Sequence, residues 1–270
     1  MMKRTILTIL IAMFIAAPVL ADSHGPGWYG GRADFDKVSG YYRGAGGEFT
    51  IMNNVDPGTF PLLLSNRAYA DSTKGINGPE SFQTFCMEAD ETAIDNMIIW
   101  VSESNVDEIT GIPGAYGSGS HTWNGGSNTN YGDNLDSKTA WLYTQFARGS
   151  LTGYAYSGTV NGLTRAETAG VLQWLIWTTE EESGAIVSEL DPAGTNGSSA
   201  QVALKNSWNA AYDEAVRLGW TGIGNVRIFQ NSAEDKSLAQ GFLYLVPVPG
   251  AVLLGMLGLG MAGIKLRRFA

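Results

Sequence analysis

Short hydrophobic segments separated by turn residues fill the chain from residue 28 to about residue 64. Aromatic and β-branched residues, as in the segment 48–52, alternate there with Asn, Asp, Pro and Gly. This pattern predicts β-strands joined by turns. Residues 81–88 form a further predicted strand, and residues 96–102 are its expected neighbour. Because side chains alternate along a strand, the predicted strand has two faces, one with Phe82, Thr84, Cys86 and Glu88 and one with Gln83, Phe85 and Met87.

Helical periodicity begins after the long polar segment in the middle of the chain. Asp136 offers an N-cap to a helix over residues 139–147, and Gly149 is placed to end it. Two further helices are predicted, one over about residues 165–182 and one over about residues 199–218. All three segments place their apolar residues at helical spacing.

Strand patterns return near the end of the chain, at residues 226–230 and 241–246. Strands followed by helices and then by strands are typical of an α+β fold rather than of alternating βαβ units. The sequence therefore predicts a β-sandwich or half-barrel with an inserted helical subdomain.

The segment between the first strands and the helices is dense in Gly, Ser and Asn. This composition predicts a long loop over residues 111–135. Oxygen-bearing side chains at residues 124–136 suit Ca²⁺, although the spaced acids of an EF-hand loop are missing. A calcium-ordered loop is thus an open alternative, and we expect no cofactor and no other metal.

Each end of the chain carries an apolar run beside basic residues. At the N-terminus, Lys3 and Arg4 precede an apolar run and a small-residue cleavage site, which indicates a signal peptide over residues 1–21. At the C-terminus, a Pro-containing motif, a short apolar run and a basic cluster predict a short transmembrane segment within residues 247–270. Residues 22–246 are then a single extracellular domain.

Charge is distributed unevenly between the ends and the body. The ends hold five of the 17 basic residues and none of the 26 acidic ones, which leaves residues 22–246 with a formal charge of −14. Such a surface repels nucleic-acid phosphates and anionic lipid headgroups. We therefore expect no nucleic-acid partner, and membrane contact only through the C-terminal tail.

The order of motifs at the C-terminus resembles the PEP-CTERM sorting signal of Gram-negative bacteria. The similarity covers about the last 26 residues and departs from the usual Val-Pro-Glu-Pro motif, because Val248 stands where Glu is expected. The resemblance implies transient anchoring in the inner membrane and processing by an exosortase-like enzyme. The protein would then reach the cell surface or an extracellular matrix such as that of a biofilm. A plain C-terminal anchor is the alternative.

Two isolated residues carry the candidate chemistry. Cys86 is the only cysteine, so an intramolecular disulfide is excluded. Gln173 lies in an apolar helical stripe with Ala169, Ile176 and Trp177, and a buried amide without a partner costs about 1–3 kcal/mol. The simplest interpretation is structural: a Gln bonded to a sheet strand and a Cys that acts as a small hydrophobe.

The segments around these two residues resemble the paired motifs of bacterial thioester domains. Residues 85–88, Phe-Cys-Met-Glu, are similar to the strand motif of that family, and residues 172–177, Leu-Gln-Trp-Leu-Ile-Trp, to its helix motif. Residues 138–151, between the two motifs, also resemble the helix found there in secreted Gram-negative relatives with PEP-CTERM-like tails, so the similarity spans roughly residues 40–246. It implies an internal thioester between the Cys86 sulfur and the Gln173 side-chain carbonyl.

A thioester of this kind implies single-turnover covalent capture, so the protein is not expected to be an enzyme. The partner would be an amine or hydroxyl of a surface or matrix protein or polysaccharide, which displaces Cys86 and becomes linked to Gln173. Water must be kept from the bond, and the expected apolar shelter consists of Phe82, Phe85, Trp174 and Trp177. The alternative function is a non-covalent matrix or carbohydrate-binding module with structural Cys86 and Gln173.

An acidic run, Glu180-Glu181-Glu182, follows the predicted second helix. Acidic side chains at a helix C-terminus interact unfavourably with the helix dipole. This position hints at a contact, but the simplest interpretation of the run is a solvated turn at the surface.

Overall fold

The computed structural model describes residues 28–53, 81–87, 89, 97–101, 135–182, 184–232 and 238–245. All of them belong to the compact unit Pro26–Pro247. The predicted signal peptide, the C-terminal tail and Glu88 lie outside the described residues, as does nearly all of the loop predicted at residues 111–135.

The described β-structure consists of one large sheet and two small hairpins. The strands, in chain order, are β1 (Trp28–Asp36), β2 (Tyr42–Arg43), β3 (Gly46–Gly47), β4 (Phe49–Asn53), β5 (Ser81–Thr84), β6 (Met97–Val101), β7 (Thr159–Val160), β8 (Leu163–Thr164), β9 (Val226–Ser232) and β10 (Leu238–Leu245). Six of them form a sheet in the order β10-β9-β6-β1-β4-β5, while β2 pairs with β3 and β7 with β8. Each of these pairings is antiparallel.

Residues 96–102 were predicted to lie beside the strand at residues 81–88, and this prediction is wrong. Strand β5 pairs with β4, with Phe82 opposite Ile51, whereas β6 lies in the interior of the sheet between β1 and β9. The sequence Met-Ile-Ile-Trp-Val of β6 is an unbroken apolar run. Such a run fits an interior strand, so β6 pairs with strands from both ends of the chain rather than with the strand that precedes it.

Residues 85–87 connect the two edges of the large sheet. They follow β5 at one edge and pair with β10 at the other, through an isolated antiparallel bridge between Cys86 and Phe242. Backbone hydrogen bonds flank the bridge on both sides, from Met87 N–H to the Gly241 carbonyl (2.9 Å) and from Leu243 N–H to the Phe85 carbonyl (3.1 Å). Cys86 therefore lies where the edge strands meet.

Four helices occur in the described residues: α1 (Ser137–Ala147), α2 (Arg165–Thr179), α3 (Ala185–Leu190) and α4 (Ser199–Arg217). The three long ones confirm the predicted helices. Helix α3 was not predicted, because it is short and begins without a side-chain cap. Within the described ranges, no helix has the length and apolar character needed to cross a membrane. Helices together with antiparallel sheets confirm the mixed α+β class.

Local signals fix the starts of α1 and α2. The Asp136 carboxylate accepts the Lys138 N–H at 2.6 Å, as the predicted N-cap requires. Helix α2 begins with a reciprocal capping box, in which the Thr164 hydroxyl accepts the Glu167 N–H and the Glu167 carboxylate accepts the Thr164 N–H at 2.8 Å. A cap of this kind contributes about 1 kcal/mol, and it sets the register of the helix that carries Gln173.

Buried apolar side chains form two clusters, and the strand at residues 81–87 contributes to both. Phe82 and Cys86 belong to one cluster, together with Trp177 of α2. Phe85 and Met87 belong to the other, which is built mainly from α1, α2 and α4. This division confirms the predicted faces of the strand for these four residues.

A buried ion pair joins the residue before β4 to the first residue of α2. Two nitrogens of Arg165 donate to the Glu48 carboxylate, Nε at 2.9 Å, and the Tyr154 hydroxyl donates to the same group at 2.5 Å. The guanidinium also lies 3.6 Å from the centre of the Tyr41 ring. Burial, followed by the charge of Glu48, raises the pKa of Tyr154 well above its usual range. Every charge in this network is therefore compensated.

The Glu48→Ala variant should be strongly destabilised. Glu48 has no exposed surface, and its removal leaves the Arg165 charge buried without its partner, which costs about 3–5 kcal/mol. The matched control is Glu214→Ala, which breaks the exposed ion pair with Arg217 on α4 and should leave the midpoint of urea unfolding unchanged. Equal midpoints for the two variants would contradict the role assigned to the buried pair.

Candidate functional site

Cys86 and Gln173 are in direct contact. The Cys86 Sγ lies 3.2 Å from Gln173 Oε1, and the two residues are 2% and 0% exposed. A carbonyl carbon is 1.23 Å from its oxygen, so the sulfur lies at most about 4.4 Å from the carboxamide carbon. The strand that links the sheet edges and the middle of α2 therefore bring the two predicted residues within side-chain reach.

The Gln173 amide is bonded to the backbone of Cys86 through both of its polar atoms. The Cys86 N–H donates to Oε1 at 3.2 Å, and Nε2 donates to the Cys86 carbonyl at 2.8 Å. This exchange resembles a hydrogen-bonded residue pair of an antiparallel ladder. It fixes the orientation of the amide, with the oxygen beside the thiol. It also gives the buried amide the hydrogen-bond partners that a purely structural glutamine needs.

Strand β3 places two glycines against the same amide. The Gly47 N–H donates to Gln173 Oε1 at 3.5 Å, from a backbone with φ +121° that favours glycine. A Cβ on Gly46 would stand 2.7 Å from Gln173 Cγ and 2.7 Å from Trp177 Cη2. Neither glycine was predicted as a site residue from the sequence. Their signal was the glycine-rich run at residues 44–47, since glycines beside a strand pattern mark close backbone approach.

The four residues of the expected shelter occupy different places. Phe82 and Trp177 share the buried cluster of Cys86. Trp174 is only partly buried and packs against both clusters, with Lys205 Nζ 5.2 Å from its ring centre. Phe85 lies in the other cluster, where the centre of its ring is 4.9 Å from the centre of the Phe146 ring. Phe82 and Trp177 are therefore the two shelter residues grouped with the sulfur.

The indole N–H of Trp177 has no hydrogen-bond partner in the described part of the chain. The side chain is 1% exposed, and its Nε1 is buried. A buried donor without an acceptor lowers stability by about 1–3 kcal/mol. The contribution of Trp177 to the site is therefore packing rather than hydrogen bonding.

In the acidic run after α2, Glu181 is exposed as predicted, but the surface interpretation is wrong for Glu180. This residue is 5% exposed, and both oxygens of its carboxylate accept the Asp136 N–H, at 3.2 and 3.3 Å. Glu182 accepts the Ala89 N–H at 3.2 Å. Both carboxylates satisfy backbone donors of other segments, which outweighs their unfavourable position at the end of a helix.

The loop suited to calcium, residues 124–136, lies mostly outside the described residues. Within the described ranges, no group of three or more His, Cys, Asp or Glu side chains is placed to hold a metal ion. Calcium binding by the loop stays a prediction.

Comparison with known proteins finds no family model, curated protein or solved structure that matches this chain. The resemblance to thioester domains therefore rests on sequence motifs alone. The contact between Cys86 and Gln173 is an independent observation from the structure.

The Gly46→Ala variant should disturb this site. Its methyl group would overlap Gln173 and Trp177, and overpacking of this kind typically costs about 1–3 kcal/mol. The control is Gly170→Ala on the same helix as Gln173, where the three atoms nearest to an added Cβ all belong to the Arg43 side chain and lie 3.2 Å or more away. Urea unfolding should show a larger loss for Gly46→Ala than for Gly170→Ala, because Ala is also the better helix former. A Gly46→Ala protein as stable as the parent would contradict the close packing.

Proposed function

We propose that this protein is an exported covalent-attachment protein in which Cys86 and Gln173 form an internal thioester. The observation that carries the proposal is the 3.2 Å contact between Cys86 Sγ and the oxygen of a fully buried carboxamide. The resemblance to thioester domains supports the same pair. Holding two groups in reactive geometry can contribute about 7–11 kcal/mol to lowering a barrier.

The reaction needs no cofactor or oxidant. The Cys86 thiol attacks the carboxamide carbon of Gln173, the carbon–nitrogen bond breaks, and ammonia leaves with the thiol proton. The product is a thioester and one free ammonia, so atoms and electrons balance. The bond is an acyl donor that persists as long as water is excluded from it.

Capture follows when a partner's nucleophile reaches the acyl carbon. An amine or hydroxyl of a surface or matrix protein or polysaccharide attacks and bonds to the acyl carbon, the carbon–sulfur bond breaks, and the proton lost by the nucleophile restores the Cys86 thiol. Gln173 then carries the partner through an amide or ester bond. Each molecule reacts once, so the proposed activity is capture and not enzymatic turnover. The formal charge of −14 on residues 22–246 favours partners with cationic surfaces.

The proposed location follows from the two chain ends. A signal peptide at residues 1–21 directs export, and the PEP-CTERM-like tail at residues 247–270 anchors the chain transiently in the inner membrane of a Gram-negative bacterium. An exosortase-like enzyme then releases it to the cell surface or the extracellular matrix. For the fold, we propose the half-barrel form of the predicted class rather than the sandwich, because the isolated bridge between Cys86 and Phe242 brings the two edges of one sheet together and so requires that sheet to curve.

A non-covalent matrix or carbohydrate-binding module is the second candidate function. The observation that favours it is the pair of hydrogen bonds between the Gln173 amide and the Cys86 backbone. These bonds satisfy the buried amide without any covalent linkage. In this case Cys86 and Gln173 are purely structural.

The intact mass of the purified domain separates the two functions. The thioester form lacks the mass of one ammonia and takes up methylamine, whereas Cys86→Ala and Gln173→Ala should keep the full encoded mass and take up none. Gln201→Ala is the control, because Gln201 is a buried glutamine on α4, and it should still lose ammonia. A parent protein with its full encoded mass and no methylamine uptake would refute the thioester.

The Trp177→Ala variant should shorten the life of the thioester. Loss of this buried ring opens a cavity beside Gln173 and destabilises the domain by about 3–5 kcal/mol, and water can then reach the acyl carbon. Mass spectra over time should show the gain of one water as Gln173 becomes Glu. The control Trp174→Ala removes a partly buried ring and should act more weakly. A folded Trp177→Ala protein that keeps its thioester as long as the parent would show that other residues exclude the water.

A further inference from the structure

Two backbone N–H groups converge on one side-chain oxygen, Gln173 Oε1. One comes from Cys86, at 3.2 Å, and one from Gly47 of strand β3, at 3.5 Å. An amide oxygen has two lone pairs and can accept both bonds. The second donor requires the left-handed φ of Gly47 and a neighbour, Gly46, that has no room for a Cβ. Two glycines are therefore needed to bring that donor to the amide.

Two N–H donors on one carbonyl oxygen can assist acyl transfer. When a nucleophile attacks a carboxamide or a thioester, the carbon becomes tetrahedral and its oxygen gains negative charge. Preorganised N–H groups aimed at this oxygen stabilise the charge, and one such donor can be worth about 10²–10³ in rate. We propose that the Cys86 and Gly47 N–H groups form an oxyanion site for the acyl carbon of Gln173. This inference rests on the proposed thioester.

The oxyanion site acts in both steps of the proposed function. It stabilises the charge on Oε1 when Cys86 attacks the amide, and again when a partner's nucleophile attacks the thioester. Both donors lie beyond the 2.7–3.1 Å that suits an oxyanion, so the bonds are weak in the resting amide. Interactions that strengthen only as the transition state forms are those that accelerate a reaction.

The buried ion pair positions one of the two donors. Glu48 follows Gly47 directly and is bound by Arg165, the first residue of the helix that carries Gln173. Tyr154 holds the same carboxylate through its hydroxyl. The network thus fixes the distance between the Gly47 N–H and α2. Glu48, Arg165 and Tyr154 are positioning residues, because they act through Gly47.

The test compares Gly47→Ala with Gly162→Ala. Both glycines have positive φ, +121° and +79°, so both variants carry backbone strain. At Gly47 a Cβ would stand 2.8 Å from Tyr42 Cα and must displace the donor, whereas at Gly162 it would meet nothing within 4 Å. The measurements are the ammonia loss with time after cell-free synthesis and the rate constant for methylamine uptake. Both rates should fall about tenfold or more in Gly47→Ala and stay at the parent value in Gly162→Ala.

A second pair of variants applies if Gly47→Ala does not fold. Tyr154→Phe removes one hydrogen bond to Glu48, whereas Tyr156→Phe removes a bond to the Phe146 carbonyl in the same aromatic cluster. Urea unfolding is measured alongside. Tyr154→Phe should take up methylamine more slowly than Tyr156→Phe, even where the two are equally stable. A merely structural hydroxyl would not change this rate in folded protein.

The outcomes separate this inference from the function on which it rests. A parent protein that keeps its full encoded mass overturns both. A parent that loses ammonia, with a folded Gly47→Ala variant that reacts at the parent rate, overturns the oxyanion site alone. Where Gly47→Ala does not fold, equal rates for Tyr154→Phe and Tyr156→Phe overturn it, and a slower Tyr154→Phe bears it out.

Discussion

The hydrogen bonding of one buried amide ties the described structure together. Gln173 has no exposed surface, so its amide needs partners inside the protein. It finds them in the backbone of Cys86, at the point where the edges of the large sheet meet. Helix α2 must therefore lie against that point in one rotation and one register. The sheet edges, the helix and strand β3 are all positioned around this contact.

Helix α2 is held at both ends as well as in the middle. At its start, the capping box of Thr164 and Glu167 and the ion pair of Arg165 with Glu48 hold the first turn. At its end, Glu180 accepts the backbone N–H of Asp136 at the start of α1. Gln173 lies between these anchors. A side chain on a helix fixed in this way loses little further freedom when it meets Cys86, and such preorganisation favours reaction.

The sequence predicted what local signals encode. The cap at Asp136 and the division of Phe82 and Cys86 from Phe85 and Met87 follow from neighbouring residues, and the structure confirms them. It did not predict the bridge from Cys86 to Phe242 or the pairing of Glu48 with Arg165 across 117 positions. These contacts depend on how distant segments pack, and no short motif carries that information. The thioester itself stays a prediction.

The hydrogen bonds of Gln173 are compatible with a structural role, but that role does not account for the thiol that lies against the amide oxygen. A buried glutamine is satisfied by the Cys86 backbone alone, and a small apolar side chain at position 86 would fill the same space without placing a thiol against the amide oxygen. Gly47 adds a second donor to that oxygen, at the cost of a constrained backbone. A nucleophilic atom, a carbonyl and two donors on one oxygen are the parts that acyl transfer requires. Their assembly in a site with almost no exposure to water is the physical reason to favour a covalent bond over a packing contact.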